Sequence, residues 1–514
     1  MSIKRLLVLS FLALSIFLVG NTEVFAASKI ITGKNYNTID NTAWDYRVNE
    51  DYAYVRKGSA SGSVQDTVYL GTEMEVIKTV NSSANGCSAG KYYQVKYFYQ
   101  DSARTKYKTG FICKTYVDKY TEVTKNDTAY CNTLKKQGFP ESYCPYLSYL
   151  HSKHPNWVFK AENAGVTFDK AAKGEAGRNY TQMKNGGYIA SDSIAEAGGW
   201  RVASNQYVGF MIDPRNYLNE KNIFAFENLS YDAYTQTLPT VQSVFKGTWL
   251  ATNAKSKKFI NAGSLKKVSP VHLASRAKQE GMTNKSYSAV SGKVSTKWQV
   301  SSNAYVCATK VKVNTKNKTI KVKKKKTKIY VRSGAGNNYG KLKYPNGKYI
   351  TLTTNDSLSF VTTTKYKSKK GCKKGWYRVR VNKSLKHVYN FYNIGSYGSN
   401  PVVRGLATAA GYVDDEDGTP WNTYNKAIKN GAGFIAGGYI TRGQDTLFYQ
   451  KFNVGPRNYF PKYTHQYMTN ILAPASEGLS TYRSYSSMLN KPYTFKIPVY
   501  QSMPNNPTSH PLAK

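Results

Sequence analysis

The same run of strand-like text occurs twice in this chain, and that repetition limits the possible folds more than any other feature. From about Asp45 to Tyr120 the text is short, alternating and broken by glycine: YAYVRKGSASGSVQDTVYLGTEMEVI, then KYYQVKYFYQ, then TGFICKTYV. Period-two alternation between Gly-bearing breaks marks half-buried strands joined by turns. Far downstream, YVRSGAGNNYGKL (330–342) repeats the opening and KKGWYRVRV (373–381) repeats the later strand, so the segments form an internal repeat. Elsewhere the period changes. YCPYLSYLHSKHPNWVF carries Tyr146, Leu147 and Leu150 at helical offsets before Pro155, and WNTYNKAIKNGAGFIAGGYI (421–440) sets Trp421, Tyr424 and Ile428 on one face, followed by Ala432 and Ile435. The economical organisation is a mainly helical domain in two parts, 121–304 and 386–478, with one β module before it (45–120) and another inserted in it (305–385). The Lys-rich run 312–328 reads as a linker or as a solvated basic strand edge. The tail, 479–514, alternates like a strand and then turns Pro-rich, and no function is assigned to it.

Residues 1–27 combine a basic start at Lys4 and Arg5, an apolar run from Leu6 to about Gly20, and small residues at Ala26 and Ala27. That is the pattern of a cleavable signal peptide, too short to span a bilayer, and it implies a secreted chain with no membrane attachment after cleavage. The formal charge is +43, from 73 Lys and Arg against 30 Asp and Glu. Nucleic acid is the usual partner of such a chain, but export argues against it, and the charge reads as retention by anionic wall polymers. Six cysteines, Cys87, Cys113, Cys131, Cys144, Cys307 and Cys372, permit disulfides in an exported chain. Proximity and module boundaries favour 87 with 113, 131 with 144 and 307 with 372, and free thiols remain an alternative. No CxxC occurs and the histidines are scattered, so neither a metal nor a cofactor is expected; His151 and His154 read as a solvated pair.

VSPVHLASRAKQEGM (268–282) joins several helix signals. Ser269 is a good N-cap, Pro270 fits the first turn and Gly281 is a natural terminator, so a short helix ending at Glu280 is expected. Leu273, Ala277 and Glu280 stand at i, i+4 and i+7, which places the carboxylate on the face of two apolar residues. Burial and the negative helix end disfavour its ionisation, while Arg276 and Lys278 favour it. A Glu at a helix end is usually a solvated surface group; one kept protonated is fit to be a general acid.

The helical text resembles the endo-β-N-acetylglucosaminidases of glycoside hydrolase family 73, of the mannosyl-glycoprotein endo-β-N-acetylglucosaminidase type, found in Firmicutes wall autolysins with bacterial SH3-like domains. The matching pieces are FPESYCPYLSYLHSKHPNWVF (139–159), MIDPRNYLNEKNIFAFENLSYD (211–232), SPVHLASRAKQEG, YNFYNIGSYGS (389–399), WNTYNKAIKNGAGFIAGGYI, YQKFNV and HQYMTNI (465–471), in this order over about 250 residues. The resemblance implies a multidomain α+β chain. Its catalytic domain would be mainly α and lysozyme-like, with a small β lobe after the catalytic helix, and the two all-β repeats would be SH3-like barrels that bind the wall. It implies Glu280 as the catalytic acid acting on peptidoglycan glycan strands, and a cleft lined by Tyr389, Asn390, Phe391 and Asn393, with Tyr392 and Tyr397 in the same motif.

A second carboxylate is hard to find. A retaining glycosidase sets it about 5 Å from the acid and an inverting one about 6.5 to 9.5 Å. Between Glu280 and His387 the only acidic residue is Asp356, which reads as a surface turn in TNDS. Glu227, after Phe224 and Phe226, is a candidate cleft group; Asp213 before Pro214 reads as a turn or cap; Asp414 to Asp417 read as a solvated loop without calcium-loop spacing. The substrate's acetamido group is a further candidate nucleophile. Most of the 44 tyrosines read as strand residues, whereas those of the 389–399 motif suit sugar stacking. Two other readings stay open: a lytic transglycosylase working with one Glu, and a catalytically inactive wall-binding or adhesion protein.

Overall fold

The computed structural model describes residues 46–50, 52–69, 72–98, 107–119, 127–182, 187–294, 296–314, 316–317, 319–323, 329–368, 370–457 and 459–508. The expected signal peptide lies outside them. Helices and mainly antiparallel sheets make a mixed α+β chain, divided into two compact units. Among the described residues, one spans 237–438 and the other joins 46–236 to 439–508. This division runs through the helical text that the sequence reading kept together. Among the described residues no helix is long and apolar enough to cross a membrane.

In the second unit the front repeat folds as seven antiparallel strands: Tyr46–Val48, Tyr52–Arg56, Val64–Tyr69, Glu73–Asn81, Lys91–Phe98, Tyr107–Cys113 and Val117–Lys119, in the order third, second, sixth, fifth, fourth, first, seventh. Alternation does what it should: Ala53 and Val55 join Val68, Val95 and Ile112 in the core while Tyr52 and Tyr54 face out. After it, the helices Thr128–Lys136 and Cys144–Lys153 are joined by the Cys131–Cys144 bridge. His151 and His154 are not a solvated pair. His151 stacks on Tyr130 and His154 on Trp157, each at 3.9 Å, because flat imidazoles beside aromatic rings gain contact by covering them.

The tail is part of this unit's core. Its boundary at 478 falls inside the helix Ala473–Tyr485, and Tyr493–Gln501 pairs in parallel with Trp157–Thr167. Burial on both faces gives that strand its near-continuous buried run, with Phe495 against Trp157 and Phe224. Asp213 caps the short helix Pro214–Tyr217, as its place before proline suggests, and also grips the buried Arg215 guanidinium with both oxygens. Arg215 in turn donates to the carbonyls of Pro504 and Asn506, tying the Pro-rich end down.

The first unit carries the helices Leu238–Val244, Asn253–Lys266, Pro270–Gln279, Ser288–Ser291, Pro401–Ala409 and Tyr424–Gly438. Asn253–Lys266 packs on both Pro270–Gln279 and Tyr424–Gly438. The turn between the first two is tight: Lys267 is left-handed at φ 58°, and a Cβ on Gly263 would lie 2.6 Å from the Val268 carbonyl. Between Ser291 and Pro401 sits the second β repeat. Its five-stranded sheet runs Lys297–Cys307, Trp376–Ser384, Ser357–Phe360, Thr319–Val322, Val311–Asn314, and a two-stranded ribbon pairs Ile329–Tyr330 with Thr351–Leu352. It occupies the place where a small β lobe was expected.

Three expectations about this repeat change. It starts at Lys297, eight residues early, because the first half of that strand alternates without full burial and so reads as polar text. Of the two readings of the Lys-rich run, its described part takes the strand edge and not the linker: 311–314 and 319–322 form an edge hairpin with Ile320 and Val322 buried, and residues 315, 318 and 324–328 lie outside the described set. Asp356 orders the predicted turn, accepting from the Thr353 amide and hydroxyl, but it is buried, because Lys383 reaches it at 2.6 Å. All six cysteines are bonded, 87–113, 131–144 and 307–372.

Candidate active site

The helix that ends at Glu280 is built from the signals in its sequence. Ser269 Oγ accepts from the His272 amide at 3.1 Å, and Pro270 opens the first turn. At the other end the Gly281 amide donates to the Lys278 carbonyl and the Met282 amide to that of Ala277, a Schellman closure that needs the left-handed φ of 76° at Gly281. Met282 is buried beneath it. Glu280 is the capping residue, and it follows Leu273 and Ala277 onto the apolar face.

Glu280 Oε2 accepts from Asn393 Nδ2 at 2.8 Å, whereas Oε1 is buried and has no hydrogen-bond partner. Burial pushes the carboxyl above its ordinary range, opposed by the Arg276 charge and the Asn393 bond. The site therefore favours a proton on Glu280, with one oxygen held and the other open to a donor or acceptor that binds there. Tyr287 Oη donates to Asn393 Oδ1 at 3.5 Å, at the limit of a hydrogen bond, while the amide nitrogen faces Glu280. Burial raises the Tyr287 phenol, the Asn393 contact opposes it, and the Glu280 charge raises it further.

The 389–399 motif divides into groups with different duties. Asn393 reaches Glu280 from a left-handed φ of 48°, a conformation asparagine tolerates. Asn390, 1% exposed, donates to the carbonyls of Ile394 and Gly405 and accepts from the Ile394 amide, so its hydrogen bonds are used in holding the loop. Phe391 is core, packed on Phe259 and Tyr424. Tyr392 is buried, its ring so close to Gly431 that a Cβ there would lie 2.4 Å from Cδ2. Asn390, Phe391 and Tyr392 are thus buried side chains that hold the loop and the core, whereas Asn393 is the residue of the motif that reaches Glu280. Tyr389 is half-buried and meets Tyr424 edge to face at 4.7 Å; exposed Tyr397 lies under the Arg404 guanidinium, and Asp414 pairs with Arg404.

Glu227 belongs to the other unit. It is 4% exposed, accepts from Tyr485 Oη at 3.3 Å, and burial pushes its carboxyl up to about 8. Reasoning from sequence missed Tyr287 and Trp249. Trp249 donates to the Met282 carbonyl just past Glu280 and rests on Tyr424. Neither residue lies in a motif; the only signal was an aromatic ring in helical text close in sequence to the acid.

No family model matches the chain. The bifunctional autolysin of Staphylococcus aureus (strain MSSA476) is 33% identical over 96 residues, 18% of this chain and 6% of that protein. That of Staphylococcus epidermidis (strain ATCC 12228 / FDA PCI 1200) is 30% identical over 113 residues, 22% of this chain and 8% of the other. The chain thus spans less than a tenth of the length of these relatives. Among solved structures, S. aureus glucosaminidase B is 20% identical, with a TM-score of 0.36, covering 67% of this chain and 94% of that one. S. aureus Autolysin E in complex with muropeptide is 16% identical, with a TM-score of 0.28 and coverage of 65% and 97%. Over about a fifth of its length the chain is similar in sequence to bifunctional autolysins of Staphylococcus.

Proposed function

We propose that this protein is an exported peptidoglycan hydrolase that cuts the glycan strand after N-acetylglucosamine, with Glu280 as general acid and then base. The observation that carries the reading is the half-satisfied Glu280 carboxyl, whose burial favours a proton and whose Oε1 has no partner. Glu280 gives its proton to the leaving sugar oxygen as the glycosidic C–O bond breaks; it then takes one from the water whose oxygen ends on the anomeric carbon. The helical part of this unit holds no other carboxylate before the 414–417 loop, where Asp414 is tied to Arg404. That scarcity supports the substrate's acetamido oxygen as the group that meets the anomeric carbon. The two β repeats are read as SH3-like wall-binding barrels, the helical text as a lysozyme-like catalytic domain, and the basic charge as retention on anionic wall polymers outside the cell.

Glu280→Gln keeps the Asn393 contact but carries no transferable proton, so clearing of purified walls is expected to fall by about 100-fold or more. Undiminished clearing by that variant would overturn the assignment. Scarcity of carboxylates also favours a second reading, a lytic transglycosylase. Product mass separates them: hydrolysis leaves a reducing N-acetylglucosamine end, transglycosylation an anhydro-muramic end.

A further inference from the structure

The inserted β module, 297–384, meets the helical part of its own unit at a further place besides its two chain connections. At the turn 344–348 the Tyr344 amide donates to the Lys348 carbonyl, and Gly347 completes the turn at φ 77°. Tyr344 packs on the module core, and its ring stacks on that of Tyr412, with centroids 5.2 Å apart and planes 23° from parallel. Lys348 Nζ donates to the Thr419 carbonyl at 3.3 Å. Lys383 Nζ, paired with the buried Asp356, lies 6.0 Å from the centre of the Tyr412 ring. Tyr412 and Thr419 stand near the two ends of the loop 410–419, so the module seats that loop from both sides.

The loop in its turn bears on the segment that carries Asn393. Asp414 accepts from Thr408 Oγ1 at 2.6 Å and from the two terminal nitrogens of Arg404 at 3.0 and 3.3 Å. It is therefore tied down, although its place in an acidic run suggested a solvated loop residue. Arg404 Nη1 also donates to the Gly395 carbonyl at 2.7 Å. At Gly395 φ is 73°, and a Cβ would lie 2.4 Å from Thr408 Oγ1, so this turn rests directly on the helix Pro401–Ala409. Two residues earlier, Asn393 donates to Glu280 from its left-handed backbone. A residue other than glycine keeps such a backbone where its surroundings impose it, and the grip of Arg404 on Gly395 is part of that constraint.

We propose that Arg404 and Asp414 are positioning residues for Glu280, and that the inserted module keeps them in place through Tyr344 on Tyr412. The Arg404–Asp414 clamp holds the 393–395 turn, the turn aims the Asn393 amide, and the amide sets how readily Glu280 parts with its proton. None of the clamp residues needs to touch substrate. The inference rests on the reading of Glu280 as the acid, and it gives the module a task separate from affinity for the wall. Contacts in series become coupling only if loosening one end changes the other.

The test measures kcat/KM against pH for the full chain on soluble, uncrosslinked glycan fragments, so that wall affinity does not enter. Asp414→Ala sets two effects of opposite sign against each other. Loss of a negative charge makes Glu280 easier to ionise and moves the basic limb down, whereas loss of the clamp frees Asn393 and moves it up. The upward move is expected, by about half a pH unit, with kcat lower by about 3-fold to 10-fold. Tyr344→Ala changes no charge and lies outside the clamp; it should move the limb the same way, and it carries the test should the Asp414 variant fold poorly. Tyr344→Phe keeps the stacked ring and should restore the parent profile. In an Asn393→Ala background both shifts should vanish, because the amide through which they act is gone. A limb that stays in place or moves down, or a shift of full size that survives Asn393→Ala, would overturn the proposal. Glu280→Gln measured alongside separates it from the reading beneath it. Parental activity in that variant refutes the acid, whereas an inactive Glu280→Gln with unmoved Asp414 and Tyr344 variants refutes the clamp alone.

Discussion

At Glu280 opposing influences meet. Burial raises the carboxyl, while the Arg276 charge and then the Asn393 amide, by donating to the ionised form, lower it. Asn393→Ala removes the lowering contact, so the pH above which the acid loses its proton should rise. The basic limb of the kcat/KM profile is then expected to move to higher pH, with kcat down by about 10-fold from lost orientation; a limb that moves to lower pH would contradict this account. Glu227 is a different kind of residue. Its folded value, about 8, lies above that of an unfolded Glu, so its stabilising effect is full below the unfolded value and is lost as pH rises through about 8. The stability of Glu227→Gln relative to the parent should therefore rise between pH 5 and 8, read from denaturant unfolding at matched pH. A constant difference would mean that Glu227 is already ionised in the fold. From sequence, the inward face of Glu280 was legible because i, i+4 and i+7 fix it. Which of the 389–399 side chains would be buried was not, since loop residues follow no period and Asn390 looks the same whether it holds a loop or a sugar.

The helix ending at Glu280 was the most legible element, because its start and stop are chemical: Ser269, Pro270 and Gly281 each do what their side chains dictate. Gly281 and Gly263 test this from two directions. At Gly281 a Cβ would meet nothing within 4 Å, so Gly281→Ala should cost only the left-handed backbone, about 1 kcal/mol. At Gly263 φ is ordinary but the space is taken by the Val268 carbonyl and Pro270, so Gly263→Ala should destabilise more, by about 2 kcal/mol or beyond. Urea midpoints compare the two, and an equal loss would refute the distinction. Strands that answered to alternation were legible as well. The segment 297–304 was not, because its alternation includes no fully buried position before Ala304 and so reads as polar text.

On the scale of the chain, repeats and bridges could be read and the division into units could not. The second unit is assembled from two stretches separated by the whole of the first, and nothing in the text of 157–167 announces a parallel partner at 493–501. Parallel pairing over such a separation is decided by tertiary burial, which local text does not encode. Truncation after Ser486 should therefore do more than trim a tail: it removes that strand and the carbonyls that receive Arg215, leaving a buried cation with part of its hydrogen bonding gone. A loss of about 3 kcal/mol or more is expected, read as loss of cooperative melting. A truncated chain that melts like the parent would show the strand to be dispensable. There is also a consequence in time. A strand that completes a sheet begun some three hundred residues earlier keeps this unit open until residues 493–501 have been made, so the unfinished half must meanwhile be kept from sticking to its neighbours.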